Sequence, residues 1–160
     1  MPGPILFCYD GSEGSRSALR AAGDLIVHPA EGFVLAVWQP AFIRLSMAGA
    51  FAPGVLADET GIDEEEADYA RKVAEEGAAR AREHGYNVTA LAEQADTGIA
   101  QAILAVADNY DVALIVCGQR GRGPIRTALL GSVSHALSAH TRRPVLIAPE
   151  TVEGGRSASQ

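Results

Sequence analysis

"VCGQRGRGPIRTALLGSVSHAL", the segment from Val116 to Leu137, joins an apolar run typical of a buried strand to an apolar run with helical spacing. Four glycines lie in this segment: Gly118, Gly121, Gly123 and Gly131. Glycine loses more conformational entropy on folding than any other residue, so a loop this rich in glycine indicates more than a simple turn. The segment therefore predicts a strand, a ligand-binding loop and a helix in succession.

Strand-like and helix-like segments alternate along the rest of the chain as well. The strand-like segments are residues 5–9, 33–38, 87–92, 112–117 and 144–148. The helix-like segments are residues 15–26, 63–84, 97–110 and 132–140; Ser12 or Ser15 is placed to cap the first, and Gly85 to end the second. This alternation predicts a parallel sheet covered on both faces, with a ligand site at the carboxyl ends of the strands where the strand order reverses.

Two segments have no sustained hydrophobic period. From Ala41 to Gly61 the chain is rich in alanine, glycine and proline, which predicts a long surface excursion with some local helix. From Glu150 the chain is polar, "ETVEGGRSASQ", which predicts a disordered tail. We therefore expect one domain over residues 1–149 and a tail over residues 150–160.

The composition excludes several classes of function. Of the 160 residues, 48% are hydrophobic and 21% are charged, which is ordinary for a globular protein. The net charge of −7 argues against a general nucleic-acid binder and against an anionic membrane as the partner. The chain has no basic leader and no run near the roughly 18 apolar residues that cross a membrane, so we expect a cytoplasmic protein.

The two cysteines, Cys8 and Cys117, both lie in apolar runs. Such positions predict buried, reduced thiols that pack in the core. A redox pair is the alternative, because the two residues end what should be neighbouring strands. His28, His84 and His140 have no spacing that predicts a metal site.

The glycines of the loop predict an anion-binding site. Gly118, Gly121 and Gly123 can reach positive φ without strain, which would turn backbone N–H groups into a common concavity. Gly131 and Ser132 then begin a helix whose free N–H groups and dipole favour a phosphate. The alternative is a tight turn whose glycines only allow close packing.

Polar side chains around the loop support the same interpretation. The Ser132 hydroxyl is placed either to cap the helix or to donate to a phosphate oxygen. His135 follows early on that helix, where a phosphate contact and a surface role are both open. Arg120, Arg122 and Arg126 add positive charge to an acidic chain, and guanidinium groups match the geometry of phosphate. Nucleotide or phosphate binding is the leading hypothesis.

Better-known nucleotide motifs fit less well. A P-loop requires a lysine, and the single lysine of the chain, Lys72, lies on an earlier predicted helix. A Rossmann fingerprint would follow the first strand, where this chain has Asp10, Gly11 and Ser12 instead. Asp10 can accept from a ribose hydroxyl, bind a metal or form an Asx turn with Ser12, and we favour ligand contact. Since no general base is identifiable, we expect binding rather than turnover.

The spacing of Gly118, Gly121, Gly131 and Ser132 matches G-x2-G-x9-G-[ST], so the loop resembles the ATP-binding signature of the universal stress protein family. The resemblance covers nearly the whole chain, from "ILFCYDGSEGS" to "RRPVLIAP". It implies a Rossmann-like fold (adenine nucleotide alpha hydrolase-like), an open parallel five-stranded sheet in the order 3-2-1-4-5. It also implies a homodimer through the last strand, from Pro144 to Ala148.

The same resemblance implies a function and a set of contacts. The family binds ATP, with or without Mg²⁺, and acts as a nucleotide-dependent regulator of the stress response; slow hydrolysis or a transfer activity on the same fold is the alternative. By position, Asp10 and Val37 would contact the base or sugar, Cys8 and Cys117 would line the base pocket, and Gly118 would lie at the ribose. The residues expected around the phosphates are Gly121, Arg122, Gly123, Gly131, Ser132, Val133 and Ser134.

Overall fold

Five strands and five helices are present in the described residues of this computed structural model, which are 3–27, 30–47, 49, 59–123 and 130–150. The strands are β1 (Ile5–Cys8), β2 (Ala30–Trp38), β3 (Tyr86–Gln94), β4 (Leu114–Gly118) and β5 (Val145–Ala148). The helices are α1 (Glu13–Leu25), α2 (Ala41–Met47), α3 (Glu59–Glu83), α4 (Ile99–Asn109) and α5 (Ser132–His140). Each strand pair is parallel and the order is β3-β2-β1-β4-β5, which confirms the predicted fold.

Both faces of the sheet are buried, which explains why its central strands are apolar at consecutive positions. On one face, Phe7 and Val116 pack with α1 and α3. On the other face, Leu6 and Ile115 pack with α4 and α5. Strands β2 and β3 extend beyond the predicted apolar runs, because they pair along their whole length, from Ala30 opposite Tyr86 to Trp38 opposite Gln94.

Local capping interactions set the start of α1 and the end of α3. Ser12, one of the two predicted caps, is the N-cap of α1: its Oγ accepts from the backbone N of Ser15 at 3.2 Å. Gly85 follows α3 at a φ of +85°, a left-handed conformation that favours glycine, as predicted for a helix end. Its backbone N donates to the Arg82 carbonyl at 2.9 Å.

The segment from Ala41 to Gly61 is more regular than the predicted surface excursion. It begins with α2 and ends inside α3, which starts at Glu59 rather than near Asp63. The Asp63 Oδ1 accepts from the backbone N of Ala41 at 2.8 Å, so a tertiary contact caps α2. Residue 48 and residues 50–58 of this segment lie outside the described residues, as do His28 and the tail from 151 onward.

The carboxyl ends of β1 and β4 lie side by side at the point where the strand order reverses. Phe7 is the register partner of Val116, so the next positions, Cys8 and Cys117, are also neighbours. The chain leaves β1 toward the face of α1 and leaves β4 toward the face of α5. Open parallel sheets bind ligands in the crevice that such a reversal creates. Over the part of the chain that is described, no helix has the length and apolar character to cross a membrane.

Candidate functional site

The glycine loop after β4 packs against the start of α1. A Cβ placed on Gly118 would lie 2.6 Å from the carbonyl carbon and oxygen of Gly14, and one placed on Gly14 would lie 2.1 Å from the Arg120 carbonyl oxygen. Both distances are too short for any side chain, so these two backbones approach closely only because both residues are glycine. Gly14 was not identified from the sequence; its signal is a glycine in a first helical turn, where it costs about 1 kcal/mol relative to alanine.

The expectation that the loop glycines reach positive φ is wrong. The described glycines in that conformation are Gly3, Gly11, Gly49 and Gly85. The loop is instead shaped by close approach: a Cβ on Gly121 would lie 2.7 Å from the Asp10 Oδ2. The close-packing interpretation therefore holds for Gly118 and Gly121. At Gly123, no described atom beyond the chain neighbours lies within 4 Å of a Cβ placed there.

Asp10 connects the end of β1 to the glycine loop. Its Oδ1 accepts from the backbone N of Ser12 at 2.9 Å, which forms the Asx turn that the sequence allowed. Its Oδ2 accepts from the backbone N of Arg122 at 3.2 Å. A carboxylate oxygen has two lone pairs, so each oxygen of Asp10 can still accept from a ligand hydroxyl.

The start of α5 forms the second half of the site. The backbone N of Gly131 donates to the Gln119 carbonyl at 2.8 Å. The buried Ser134 hydroxyl bonds to the carbonyls of Gln119 at 2.9 Å and Gly131 at 3.1 Å, so Ser134 holds the loop and the helix together. Ser132 is the exposed first residue of α5, and the N-cap is Gly131, with no side-chain cap. The capping role that the sequence allowed for Ser132 is therefore wrong.

Three apolar residues predicted at the base, and Val133 from the predicted phosphate end, pack on one face of the sheet. Cys8, Val37, Cys117 and Val133 all belong to the cluster on the α4 and α5 face. Burial raises the pKa of Cys117 to about 11. Burial, with the nearby Cys117 and Asp10 charges, raises the pKa of Cys8 well above its usual value. Protonated thiols react slowly, so these cysteines favour packing over the redox alternative.

Two loop arginines have different surroundings. The Nε of Arg120 is buried and has no hydrogen-bond partner among the described residues. The Arg122 guanidinium donates to the Tyr69 hydroxyl on α3 and lies 5.2 Å from the centroid of its ring. Arg126 lies outside the described residues, and His135 is exposed on α5. Tyr69 was not identified from the sequence, because nothing local connects it to a loop 53 residues away.

A hydrogen-bonded network lies on the opposite face, below the end of β1. The Tyr9 hydroxyl donates to the Glu76 Oε1 at 2.9 Å, and the Arg80 Nε donates to the same oxygen at 3.0 Å. Arg16, in α1, lies 3.5 Å from that oxygen. The Tyr9 hydroxyl, followed by Arg80 and Arg16, lowers the pKa of Glu76. The network positions β1, α1 and α3 relative to one another around Asp10.

The chain is similar to proteins of known family. The model of the universal stress protein family matches residues 1–149. Universal stress protein YxiE of Bacillus subtilis (strain 168) is 34% identical over 146 residues, which cover 89% of this chain and 96% of that protein.

Solved structures share the fold at lower sequence identity. The hypothetical protein MJ0577 has a TM-score of 0.75 at 21% identity, over 96% of this chain and 99% of that one. A universal stress protein in complex with cAMP has a TM-score of 0.60 at 19% identity, over 93% and 98% of the two chains. A universal stress protein of Archaeoglobus fulgidus in complex with dAMP has a TM-score of 0.57 at 20% identity, over 91% and 97%. The family match and the curated relative together show that this chain belongs to the universal stress protein family.

Proposed function

We propose that this protein binds an adenine nucleotide, ATP foremost, at the carboxyl ends of β1 and β4. The start of α5 carries the proposal. Its N-cap is Gly131, which has no side chain to satisfy the first N–H groups of the helix, and a phosphate is a natural acceptor for such groups. The buried Nε of Arg120 supports the proposal, because an anionic ligand would supply the acceptor that it lacks among the described residues.

The proposed orientation of the nucleotide follows from the two sides of the crevice. Cys8, Val37 and Cys117 belong to one apolar cluster, and we propose that the base packs beside them. Asp10, with acceptor capacity remaining on both oxygens, suits a ribose hydroxyl, and Gly118 would lie beside the sugar. The phosphates would then lie against the loop and the helix start, near Gly121, Arg122, Gly123, Gly131, Ser132, Val133 and Ser134. The cAMP and dAMP complexes of two proteins of the same fold support an adenine nucleotide as the ligand.

The described residues do not form a Mg²⁺ site of their own. Among them, no three histidine, cysteine, aspartate or glutamate residues are grouped as metal ligands. Mg²⁺ at a nucleotide is usually held by one or two carboxylates together with the phosphates, and Asp10, whose oxygens each keep acceptor capacity, is the carboxylate at the loop that would hold it. The role that we propose is binding: a nucleotide-dependent regulator of the stress response, which we expect to act in the cytoplasm.

We also propose a homodimer through the last strand, from Pro144 to Ala148. Strand β5 is at the edge of the sheet, and an edge strand presents unpaired backbone donors and acceptors to a second chain. Its apolar residues Val145, Leu146 and Ile147 are only half-buried. Light scattering on the purified protein should give twice the 16.7 kDa mass of the chain, and a monomer mass would contradict the proposal.

Calorimetric titration with ATP tests the proposed site. We expect Gly123→Val to weaken ATP binding at least tenfold, because no described atom beyond the chain neighbours lies within 4 Å of a Cβ placed there and we propose that the ligand occupies that space. Ala139→Val is the matched control, since it adds similar bulk at an exposed position in the last turn of α5. Gly121→Val is less informative, because its Cβ would strike Asp10 whether or not a ligand is present.

Two results would contradict the proposal. A parent protein that neither releases a nucleotide on denaturation, as judged by mass spectrometry, nor takes up ATP in the titration has no nucleotide site. A Gly123→Val protein that stays folded and binds ATP as the parent does places the site elsewhere.

A further inference from the structure

Arg122 belongs to two parts of the molecule at once. Its backbone N donates to the Asp10 Oδ2 at 3.2 Å, which holds the residue in the glycine loop. Its side chain leaves the loop and reaches α3, where the guanidinium donates to the Tyr69 hydroxyl and lies 5.2 Å from the ring centroid. The positive charge of Arg122 is therefore held on α3.

The Tyr69 side chain, which holds the Arg122 guanidinium, is a neutral group. Arg122 and Tyr69 line a surface pocket of about 580 Å³ that also contains the carboxylates Glu65, Glu66 and Asp68. Arg44 pairs with Glu66 at 2.8 Å, and Arg71 pairs with Asp68. Within the described part of the chain, Arg122 forms no ion pair with a carboxylate side chain.

A neutral phenol is a weak competitor for a guanidinium. In the bond to Tyr69 only the donor is charged, whereas a phosphate adds a negative charge on the acceptor, and arginine contacts phosphate through two parallel bonds. The Tyr69 side chain is 46% exposed, so water can replace the bond that it loses. A phosphate chain long enough to reach Arg122 from the loop would therefore take the guanidinium from Tyr69.

We propose that Tyr69 is a positioning residue that sets the phosphate specificity of the site by competing with the ligand for Arg122. This inference rests on the proposed nucleotide function. In that orientation the phosphates lie against the glycine loop that carries Arg122, so the phosphate end is the part of the ligand that approaches its guanidinium. A triphosphate has the reach and charge to draw the guanidinium from Tyr69, whereas a monophosphate leaves it on α3.

Titration of ATP and AMP into Tyr69→Phe tests this inference. The variant keeps the ring and removes the hydroxyl, and one hydrogen bond is worth about 1 kcal/mol, so ATP affinity should rise about fivefold. AMP affinity should change less than twofold. Arg122→Gln should weaken ATP binding about tenfold, and adding Tyr69→Phe to it should then have no effect. Tyr110→Phe, at another partly exposed tyrosine, is the matched control.

The outcomes separate this inference from the proposed function. If the parent binds ATP and Tyr69→Phe binds it equally well, or if AMP affinity rises as much as ATP affinity, the inference is wrong and the nucleotide site stands. If the parent binds no nucleotide, the proposed function fails and the inference with it.

A measurement without ligand tests the contact itself. In spectra of ¹⁵N-arginine-labelled protein, the Arg122 side-chain resonance is identified by its absence in Arg122→Gln. It should move in Tyr69→Phe and stay unchanged in Tyr110→Phe. A resonance that does not move in Tyr69→Phe would overturn the inference.

Discussion

The N-termini of α1 and α5 both lie at the glycine loop, but a side chain caps only the N-terminus of α1. The start of α1 is closed: Ser12 caps it, Asp10 accepts from Ser12, and Gly14 packs against the Arg120 carbonyl. The start of α5 is open, because its N-cap is a glycine and Ser132 makes no cap. The same element serves as a structural anchor where side chains satisfy its N–H groups, and as a candidate anion site where they do not.

The largest effect should come from breaking the closed start at Gly14. Alanine normally stabilises a helix relative to glycine by about 1 kcal/mol, but here its Cβ would lie 2.1 Å from a backbone carbonyl oxygen. We expect the clash to dominate, so that Gly14→Ala lowers the free energy of unfolding by about 3 kcal/mol. Urea denaturation followed by the fluorescence of Trp38 measures this change.

The control for Gly14→Ala is Gly123→Ala, whose Cβ meets no described atom within 4 Å. It should change stability by less than about 0.5 kcal/mol. A stabilising Gly14→Ala would show that the loop does not pack on α1 as the distances indicate.

The second prediction compares Ser12 and Ser132, the serines at the two helix starts. Ser12→Ala removes a cap and should lower the free energy of unfolding by about 1 kcal/mol. Ser132→Ala removes no cap, so its stability should stay within about 0.5 kcal/mol of the parent, while its ATP affinity should fall about tenfold. Denaturation and calorimetry on the same preparations separate the two effects. Equal losses of stability in both variants would contradict the proposal that only Ser12 is a helix cap.

The smallest effect concerns the network that ties α1 to α3. Because the folded-state pKa of Glu76 is lowered, its stabilisation is present above the unfolded pKa near 4.5 and is lost as the pH falls through the folded value. Glu76 is partly exposed, so we expect Glu76→Gln to cost less than about 1 kcal/mol at pH 7. The cost should shrink as the pH falls below 4.5, which urea titrations at pH 7 and pH 3 can measure. A cost that is equal at both would assign it to packing instead of charge.

Local patterns predicted most of the architecture. Apolar runs identified the five strands, and their alternation with helical segments gave the sheet class. The turn at Asp10 and the end of α3 at Gly85 were predicted, because both depend on residues close in sequence. The boundaries of β2 and β3 were less accurate, since pairing extends these strands into polar residues such as Glu31 and Glu93.

Contacts between distant residues were not predictable in the same way. Tyr9 meets Glu76 across 67 residues, and Arg122 meets Asp10 across 112. The sequence around each of these residues contains no pattern that indicates its distant partner. Asp63 shows the same effect: it was predicted to begin a helix, yet it lies inside α3 and caps α2.

The sequence by itself determined the α/β class, the position of the glycine loop and the family, because periodicity and motif spacing are properties of neighbouring residues. Only the tertiary structure decided why the loop needs its glycines. At Gly118 and Gly121 the reason is the approach of Gly14 and Asp10 rather than a positive φ. It also decided which helix start is closed and that Arg122 is held by Tyr69, since both depend on which surfaces meet when the sheet folds.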